Sequence, residues 1–362
     1  MKQYVINKSD LVSNIETIKN IAGDSKVIAV LKGCGYGLGI VEFATVLKEN
    51  GIDFFAVSEV DEARTLRDAG FDEDILLLTA TAIEEDISVC LDLGIILSAG
   101  SKEAFAKISA LAKEKDVAAR VHLKVDTGFG RFGFTCNEID SAARCIKEYE
   151  NINVEGVFSH FSFSFSKKRE DVESQFIKFQ DALKKLNDAG ITNLLAHICN
   201  SCAFLQYKDM HLNAVRVGSA FLGRLPLTRN FGLKKIGLLR SNVIEVKTLP
   251  AGYHVGYANT YTTKRETKIA IVPIGYKDGF GVEKSNDTFR FIDILRYMYQ
   301  NFRSLGKKIT VNIGGRNYPL IGRVSMYNII LDVTGSDVKI GDIAETNANP
   351  ILVGRDVERV YE

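Results

Sequence analysis

The chain has 362 residues, a formal net charge of +1 and a hydrophobic content of 46%. Such balanced charge excludes the basic excess that attracts nucleic acid or an anionic membrane surface. With no apolar run of about 18–20 residues, and no apolar stretch in the opening MKQYVINKSD, the sequence lacks membrane-span and secretion signals and predicts a cytoplasmic protein.

The first two-thirds of the chain alternates apolar runs with amphipathic stretches. Continuous apolar runs of this kind are typical of parallel strands that are covered on both faces. Eight such strands predict a (β/α)₈ TIM barrel over residues 8–235, with a doubly wound open sheet as the alternative. The predicted strands are 27–31, 53–58, 74–79, 95–99, 117–126, 153–160, 194–200 and 214–221.

After about residue 235 the helical periodicity mostly stops. Short β-rich segments separated by turn signals follow, which predicts a C-terminal, mainly antiparallel β-domain over 236–362, joined by residues 1–7. One stretch, DTFRFIDILRYMYQNFRSLG at 287–306, has helical spacing and a glycine stop. We interpret it as a surface insertion, with an altered channel or pocket as the alternative.

Two motifs are too weak to carry a function. Cys199 and Cys202 form one CxxC, but a second pair is missing, so we predict small residues in a tight turn and no metal site. The glycines of GCGYGLG (33–39) fail the dinucleotide pattern GxGxxG in both registers. A phosphate-binding GxxxxGK[ST] is also missing, so the sequence does not indicate NAD or ATP.

Reactive side chains fall where the predicted barrel strands end. The active site of such a barrel is built at the C-terminal ends of its strands. Several strands that send such groups to one rim predict an active site there. These residues are Lys32, Arg131, His160, Asn200 and Ser201, together with Arg216 inside the last strand.

Lys32 follows a buried strand, where desolvation lowers the pKa of an amine and makes it a nucleophile. That chemistry suits a covalent link to the aldehyde of pyridoxal 5′-phosphate (PLP). The neighbouring glycines would let a flat ring lie close to the backbone. A phosphate would then bind near Ser201, Gly218 and Ser219, at the ends of the last two strands. The alternative is a surface lysine beside a flexible loop.

Eight segments of the chain carry a family resemblance. They are VIAVLKGCGYGLG, VHLKVDTGFGRFGF, GVFSHF, HICNS, AVRVGSAFLG, VGYANTYT, PIGYKDGF and IGRVSM, and they span most of the chain. In this order they resemble segments of the alanine racemase family. The resemblance implies a PLP-binding barrel, a β-domain, and a homodimer whose active sites are shared between subunits. It also implies a small amino-acid substrate and a supply of D-alanine for the cell wall.

The family resemblance also implies roles for individual residues. Lys32 would hold PLP and act as one base, and Tyr257 of the partner subunit would be the base on the opposite face. Arg216 would bond the pyridine nitrogen, with His160 and His197 linking it towards Tyr257. The remaining cofactor residues would be Tyr36, Asn200, Ser201, Gly218 and Ser219. Arg131, Met326 and Tyr276 would face the substrate, and Lys124, carbamylated in many relatives, would position Arg131.

The sequence departs from the family pattern at four places. Cys34 and Gly35 replace the usual Asn or Asp and Ala, Tyr327 replaces an Asp, and Arg355 stands near a phosphate-contacting tyrosine. The fourth departure is the 287–306 insertion. We predict an isomerase that racemises alanine. The alternatives are a serine or broad-specificity racemase, a PLP-dependent decarboxylase and a non-catalytic PLP-binding protein.

Overall fold

A computed structural model describes residues 2–166 and 168–362 of the protein. The chain divides into two compact units. One is Lys8–Ile236, and the other joins the N-terminal segment through Asn7 to Gly237–Glu362. Among the residues that the structure describes, no helix is long and apolar enough to cross a membrane.

The larger unit is built on eight parallel strands. Their order around the sheet is β4-β3-β2-β10-β9-β8-β6-β5, and a parallel bridge between Leu76 and Ile96 joins the two ends. The predicted barrel is thereby confirmed, and the open-sheet alternative is wrong. The strands are β2 (Lys26–Val30), β3 (Phe54–Val57), β4 (Asp74–Leu77), β5 (Leu97–Ala99), β6 (Ala119–Asp126), β8 (Ile152–Phe158), β9 (Leu195–His197) and β10 (Ala214–Val217), with the short β7 (Phe134–Thr135) beside β6.

Helices connect these strands on the outside of the barrel. Their buried residues, such as Phe43, Ala44 and Leu47 of the third helix, recur at helical spacing and face the strands. The helices of this unit are α1 (Lys8–Ala22), α2 (Lys32–Tyr36), α3 (Ile40–Glu49), α4 (Val60–Asp68), α5 (Glu84–Asp92), α6 (Lys102–Glu114), α7 (Ile139–Glu148), α8 (Glu170–Asp188) and α9 (Ser201–Gln206).

Alternate residues of the strands fill the barrel interior. Because side chains of a strand point to opposite faces in turn, residues two apart share one face. Ile28 and Val30 of β2 pack with Phe54 and Ala56 of β3 in one buried cluster. The apolar runs of the sequence are therefore continuous because one set of side chains faces this interior and the other faces the helices.

The smaller unit is mainly antiparallel, as predicted. A six-stranded sheet has the order β17-β16-β19-β11-β1-β20, and β12, β15 and β18 form a second sheet. The strands are β1 (Lys2–Ile6), β11 (Leu238–Asn242), β12 (Glu245–Leu249), β13 (His254–Val255), β14 (Tyr261–Thr262), β15 (Thr267–Val272), β16 (Thr310–Ile313), β17 (Arg316–Pro319), β18 (Ile329–Asp332), β19 (Ile343–Thr346) and β20 (Glu358–Tyr361). The predicted 287–306 segment forms helix α10 (Phe291–Ser304).

Several barrel strands end earlier than the sequence predicts. β8 ends at Phe158, two residues before His160, and β10 ends at Val217 rather than at residue 221. The predicted strands are too long because the apolar sequence pattern continues into the loops after the strands. There the side chains are buried at the rim of the barrel and not within the sheet. His160 and Gly218 therefore lie in loops beyond the strands.

Candidate active site

Lys32 stands at the start of a left-handed turn. Gly33, Cys34, Gly35 and Tyr36 all have φ between 54° and 65°. Such a turn costs about 1–2 kcal/mol for each residue that carries a Cβ, and glycine avoids that cost. The backbone N–H of Cys34 donates to Glu62 Oε1 at 3.1 Å and so supports the turn. Glycine at Gly33 and Gly35 therefore lowers the cost of this backbone conformation, which Cys34 and Tyr36 also adopt.

A cavity of about 420 Å³ opens at the C-terminal end of the barrel. Its volume is in the range of small-molecule and cofactor sites. We call it the barrel cavity. The predicted residues that line it are Lys32, Tyr36, Lys124, Arg131, His160, Asn200, Ser201, Arg216, Gly218 and Ser219, and they share it with Val30, Ser58, Leu78, Thr79, Phe132, Phe158, Ser164, Phe165 and Cys202.

The barrel cavity is strongly cationic. Lys32, Lys124, Arg131 and Arg216 line it, and among the described lining residues there is no aspartate or glutamate. The surrounding protein and the positive charges of Arg131 and Arg216 lower the pKa of Lys32 from its usual value, although solvent reaches the residue through the cavity. Burial lowers the pKa of Lys124 well below the ordinary range. The cavity therefore suits an anionic ligand and holds two amines that lose their protons more readily than usual.

Arg216 is buried and donates only to neutral acceptors. Its Nη1 lies 2.7 Å from His197 Nδ1, and its Nη2 lies 3.2 Å from His160 Nδ1 and 2.7 Å from the carbonyl oxygen of Ser159. Burial lowers the pKa of Arg216 to about 10. Since a guanidinium can only donate, Nδ1 of both histidines accepts. This arrangement fixes the proton of each of these two imidazoles on Nε2.

The chain of hydrogen bonds continues from His197 to His122. His197 Nε2 lies 3.0 Å from His122 Nδ1, so His197 donates and His122 keeps its proton on Nε2. The prediction linked Arg216 through both histidines towards Tyr257. In the barrel the branch through His197 instead runs inward to His122, a residue that the sequence analysis missed. The sequence spacing could have indicated His122, because it lies two residues before Lys124 and therefore on the same face of β6.

The ring of Phe158 packs against these polar groups. Its ring stacks on His197 at 5.0 Å and lies 4.4 Å from Lys124 Nζ and 5.2 Å from the Arg216 guanidinium carbon. Aromatic faces attract cations, and the attraction grows when water is excluded. Phe158 therefore packs against two buried basic side chains. Sequence reasoning treated it only as a strand residue.

Tyr36 and Gly218 approach each other closely on one side of the cavity. A Cβ added to Gly218 would lie only 2.5 Å from the hydroxyl oxygen of Tyr36, so a larger residue here would displace the Tyr36 ring. Ser201 Oγ accepts hydrogen bonds from the backbone N–H groups of Gly218 and Ala220 at 3.0 and 3.3 Å. Burial raises the pKa of Tyr36 to about 12, which keeps its hydroxyl a donor. The result is a compact cradle of hydroxyl and amide groups.

Tyr257, Tyr276 and Met326 belong to the smaller unit. Together with Tyr327 they line a second cavity there, of about 470 Å³. Tyr257 is 70% exposed, and its neighbour Ala258 has a φ of 60°. A left-handed alanine is strained, and such strain concentrates at functional sites. Arg355 lies in an exposed turn before β20.

The buried histidines predict a pH-dependent stability. Burial and the charge of Arg120 lower the pKa of His122 to about 3, and burial lowers the pKa of His160 and His197 well below the usual value. An unfolded histidine titrates near about 6.5. Below that pH the unfolded chain binds protons that the folded chain does not, so the free energy of unfolding falls as the pH falls.

We therefore expect the midpoint of thermal unfolding to be lower at pH 5 than at pH 7.5. His122→Gln should lower the midpoint at pH 7.5, because a hydrogen bond is lost, but should show a smaller further decrease at pH 5. His254→Gln, an exposed position, should keep the whole decrease of the unmodified protein. An unchanged pH dependence in His122→Gln would contradict a buried, neutral His122.

Comparison with known proteins gives consistent matches. The family described as "Alanine racemase, N-terminal domain" matches residues 6–226, and "Alanine racemase, C-terminal domain" matches 237–359. The chain is 32% identical to alanine racemase 2 of Caldanaerobacter subterraneus, over 93% of the chain and 83% of that protein. It is 33% identical to alanine racemase of Methanococcus maripaludis, over 93% of the chain and 86% of that protein.

Solved structures agree. Alanine racemase of Clostridium difficile 630 superposes with a TM-score of 0.87 at 28% identity, and the match covers 100% of this chain and 95% of that one. The alanine racemase from E. faecalis gives a TM-score of 0.82 at 26% identity, and the match covers 100% of this chain and 98% of that one. The chain therefore belongs to the alanine racemase family.

Proposed function

We propose that this protein is an isomerase that interconverts L- and D-alanine, with PLP as its cofactor and a homodimer as its working form. The observation that carries the proposal is the barrel cavity, in which two amines of lowered pKa and two arginines meet with no carboxylate among the described lining residues. PLP and an amino acid each bring an anionic group, a phosphate and a carboxylate, to such a site.

The residues present fit PLP. The cradle of Tyr36, Ser201 and Gly218 would hold the phosphate, with Asn200 and Ser219 beside it. Lys32 would carry the cofactor through its amine, and Arg216 would donate to the pyridine nitrogen. When bound, PLP withdraws electrons from the amino acid and makes its Cα proton acidic.

Racemisation needs one proton-transferring group on each face of Cα. The pKa of Lys32 is lowered by burial and by the nearby arginines, which favours the neutral amine that such a base needs. Among the described residues that line the barrel cavity, Tyr36 is the one tyrosine, and its raised pKa keeps its hydroxyl protonated, so it is not available to accept a proton from Cα. The second base is therefore proposed to be Tyr257 from the partner subunit, which is exposed beside a strained turn.

Arg216 has a positioning and electrostatic role in this proposal. It keeps its proton, since even its lowered pKa of about 10 lies well above neutrality. A permanently protonated donor leaves the facing ring nitrogen without a proton, which favours return of the proton to Cα over other reactions. His160 and His197 hold the guanidinium in place through neutral acceptor nitrogens.

The substrate carboxylate is assigned to Arg131. Its guanidinium lies 4.4 Å from the ring centre of Phe129, which restricts its position, while its charge remains at the mouth of the cavity. Lys124 lies on the same wall, over Phe158, and its readily deprotonated amine suits carbamylation. Met326 and Tyr276 of the partner subunit would close the substrate side.

The test is incubation of the purified holoenzyme with L-alanine and, separately, with L-serine in D₂O. We expect D-alanine that carries deuterium at Cα, because the proton is exchanged during inversion. We expect kcat/KM for alanine to exceed that for serine at least tenfold. Chiral chromatography and mass spectrometry measure both quantities.

Three outcomes would contradict the proposal. Release of carbon dioxide without D-product would indicate a decarboxylase. Bound PLP without conversion of any amino acid would indicate a carrier protein. A higher kcat/KM for serine than for alanine would assign the activity to a serine racemase.

A further inference from the structure

Helix α10 carries an apolar surface that the chain itself does not cover. Phe291, Leu295, Met298 and Phe302 are all exposed. The buried residue of this helix is Asp293, which is polar. Soluble proteins rarely expose large apolar side chains in a contiguous group. A face of this kind in the described chain therefore indicates an interaction surface.

The spacing of these residues fits packing against another protein segment. Phe291, Leu295, Met298, Phe302 and Leu305 are separated by four, three, four and three residues. A four-three repeat places apolar side chains along one seam of a helix. Ile292, Ile294 and Tyr299 widen that seam on both sides and are exposed as well.

The polar side of α10 does not offer a free basic band to a membrane. Asp293 accepts from Arg290 at 2.7 Å and from Arg296 at 3.1 Å, and the guanidinium carbon of Arg303 lies 5.9 Å from the ring centre of Tyr299. Arg290, which precedes the helix, and Arg296 and Arg303 within it thus each have a local partner. A membrane-surface helix instead relies on basic side chains that are free to meet anionic lipids.

The exposed area matches that of a stable protein interface. The nine large apolar residues from Phe289 to Leu305 each expose between 43% and 77% of their surface. At about 150–250 Å² for a large side chain, this amounts to roughly 1,000 Å². One side of a standard interface buries about 800 Å², whereas the largest apolar patch of a typical monomer is about 300–600 Å².

A complementary surface lies on the rim of the barrel cavity. In the sequence FSFSFS (161–166), Phe163 and Phe165 are exposed and pack edge to face at 4.7 Å. The serines anchor this loop: Ser162 donates to Gln175, and Ser164 Oγ lies 2.8 Å from Asn200 Oδ1. Phe165 also lines the cavity itself. The loop therefore presents two aromatic rings to a partner without being free to fold inward.

We propose that α10 is a dimerisation arm: its apolar seam docks on the Phe163–Phe165 rim of a second copy of this chain. This inference rests on the proposed function, in which Tyr257, Tyr276 and Met326 of one copy complete the cavity of the other. Helix α10 follows Tyr276 by fifteen residues in the same unit and would reach the partner together with it. The arm would then shield the mouth of the partner's cavity from water.

The first test compares two double variants of the full-length holoenzyme. Leu295→Glu with Phe302→Glu places two charges in the apolar seam, and Gln300→Glu with Ser304→Glu places two on the polar face. Because both sites are exposed, neither pair should alter folding. We expect the seam variant to raise the dimer dissociation constant at least 100-fold, since charges would be buried in the core of an interface, and the polar-face variant to leave it unchanged.

Sedimentation equilibrium measures dissociation, and PLP absorbance reports separately that the cavity is loaded. The seam variant should lose specific activity at nanomolar concentration and regain it when concentrated. If the seam variant dissociates at the same protein concentration as the unmodified enzyme, the arm proposal is overturned, even if alanine is racemised. Seam-dependent binding to phosphatidylglycerol vesicles, with dimerisation unchanged, would also overturn it and assign the surface to a membrane.

A second experiment tests the docking position. The photoreactive residue p-benzoylphenylalanine replaces Phe302 in one copy, which is mixed with an equal amount of ¹⁵N-labelled unmodified chain. After irradiation, mass spectrometry should find crosslinks to the labelled peptide that contains Phe163 and Phe165. Crosslinks confined to the unlabelled chain, or to labelled peptides away from that rim, would contradict the proposed position.

Discussion

Replacement of Lys32 by alanine is expected to abolish racemisation, with a loss of at least about 10⁴-fold in kcat, and to remove the visible absorbance of lysine-bound PLP. The side chain is proposed to serve twice, as the covalent attachment point and as one base, and alanine removes both. Chiral assay of alanine and an absorbance spectrum of the purified variant measure the two effects.

A second lysine makes this test informative. Lys124 lies in the same cavity and also has a lowered pKa, so geometry alone leaves it as a rival attachment point. Lys124→Ala should keep the absorbance band and lose activity more moderately, because Arg131 would be less well placed. Lys26→Ala, exposed at the start of β2, is the matched control and should retain activity. A band that survives in Lys32→Ala but not in Lys124→Ala would reverse the assignment.

Tyr257→Phe is expected to lower kcat for racemisation about 10³-fold while the PLP absorbance remains. The hydroxyl is proposed to move a proton on one face of Cα, and a positioned acid or base contributes about 10²–10⁴-fold. Because the equilibrium constant between enantiomers is one, kcat/KM must fall equally in both directions. In D₂O, however, Lys32 can still exchange the proton of one enantiomer and return it to the same face.

We therefore expect one enantiomer of alanine to exchange its Cα proton with retained configuration in Tyr257→Phe, while the other hardly exchanges. Proton NMR of each enantiomer measures the exchange. Tyr253→Phe, an exposed tyrosine of the same unit, is the control and should racemise normally. Equal exchange of both enantiomers in Tyr257→Phe would show that another group serves the second face.

The barrel and much of its cavity could be predicted because the sequence patterns that indicate them are each only a few residues long. Each strand is an apolar run bounded by turns, and a barrel places its active site at the strand ends, so Lys32, Arg131 and Ser201 could be assigned to one rim before their contacts were known. The roles of Tyr257, Met326 and Tyr276 remain predictions from the family pattern, as do the consequences of Tyr327 and Arg355.

The left-handed turn after Lys32 illustrates a partial prediction. The glycines of GCGYG were expected to leave room for a flat ring. The structure adds a backbone reason, since the whole segment from Gly33 to Tyr36 has positive φ, and the clearance for a ring stays a prediction. Cys34 and Tyr36 adopt that conformation despite their side chains, which composition alone would not indicate. The turn directs Tyr36 towards Gly218, almost two hundred residues away in the chain.

The sequence by itself determined the order of the elements, the family and the positions of the reactive residues, because these follow from periodicity and from motifs a few residues long. Only the tertiary structure decided that His122 joins His197 and Arg216, that Phe158 packs against the buried side chains of Lys124 and Arg216, and that α10 remains uncovered while Phe163 and Phe165 line an exposed rim. Each of these depends on which distant segments meet. Hydrogen bonding and exclusion of water are set by that three-dimensional packing, which no local pattern encodes.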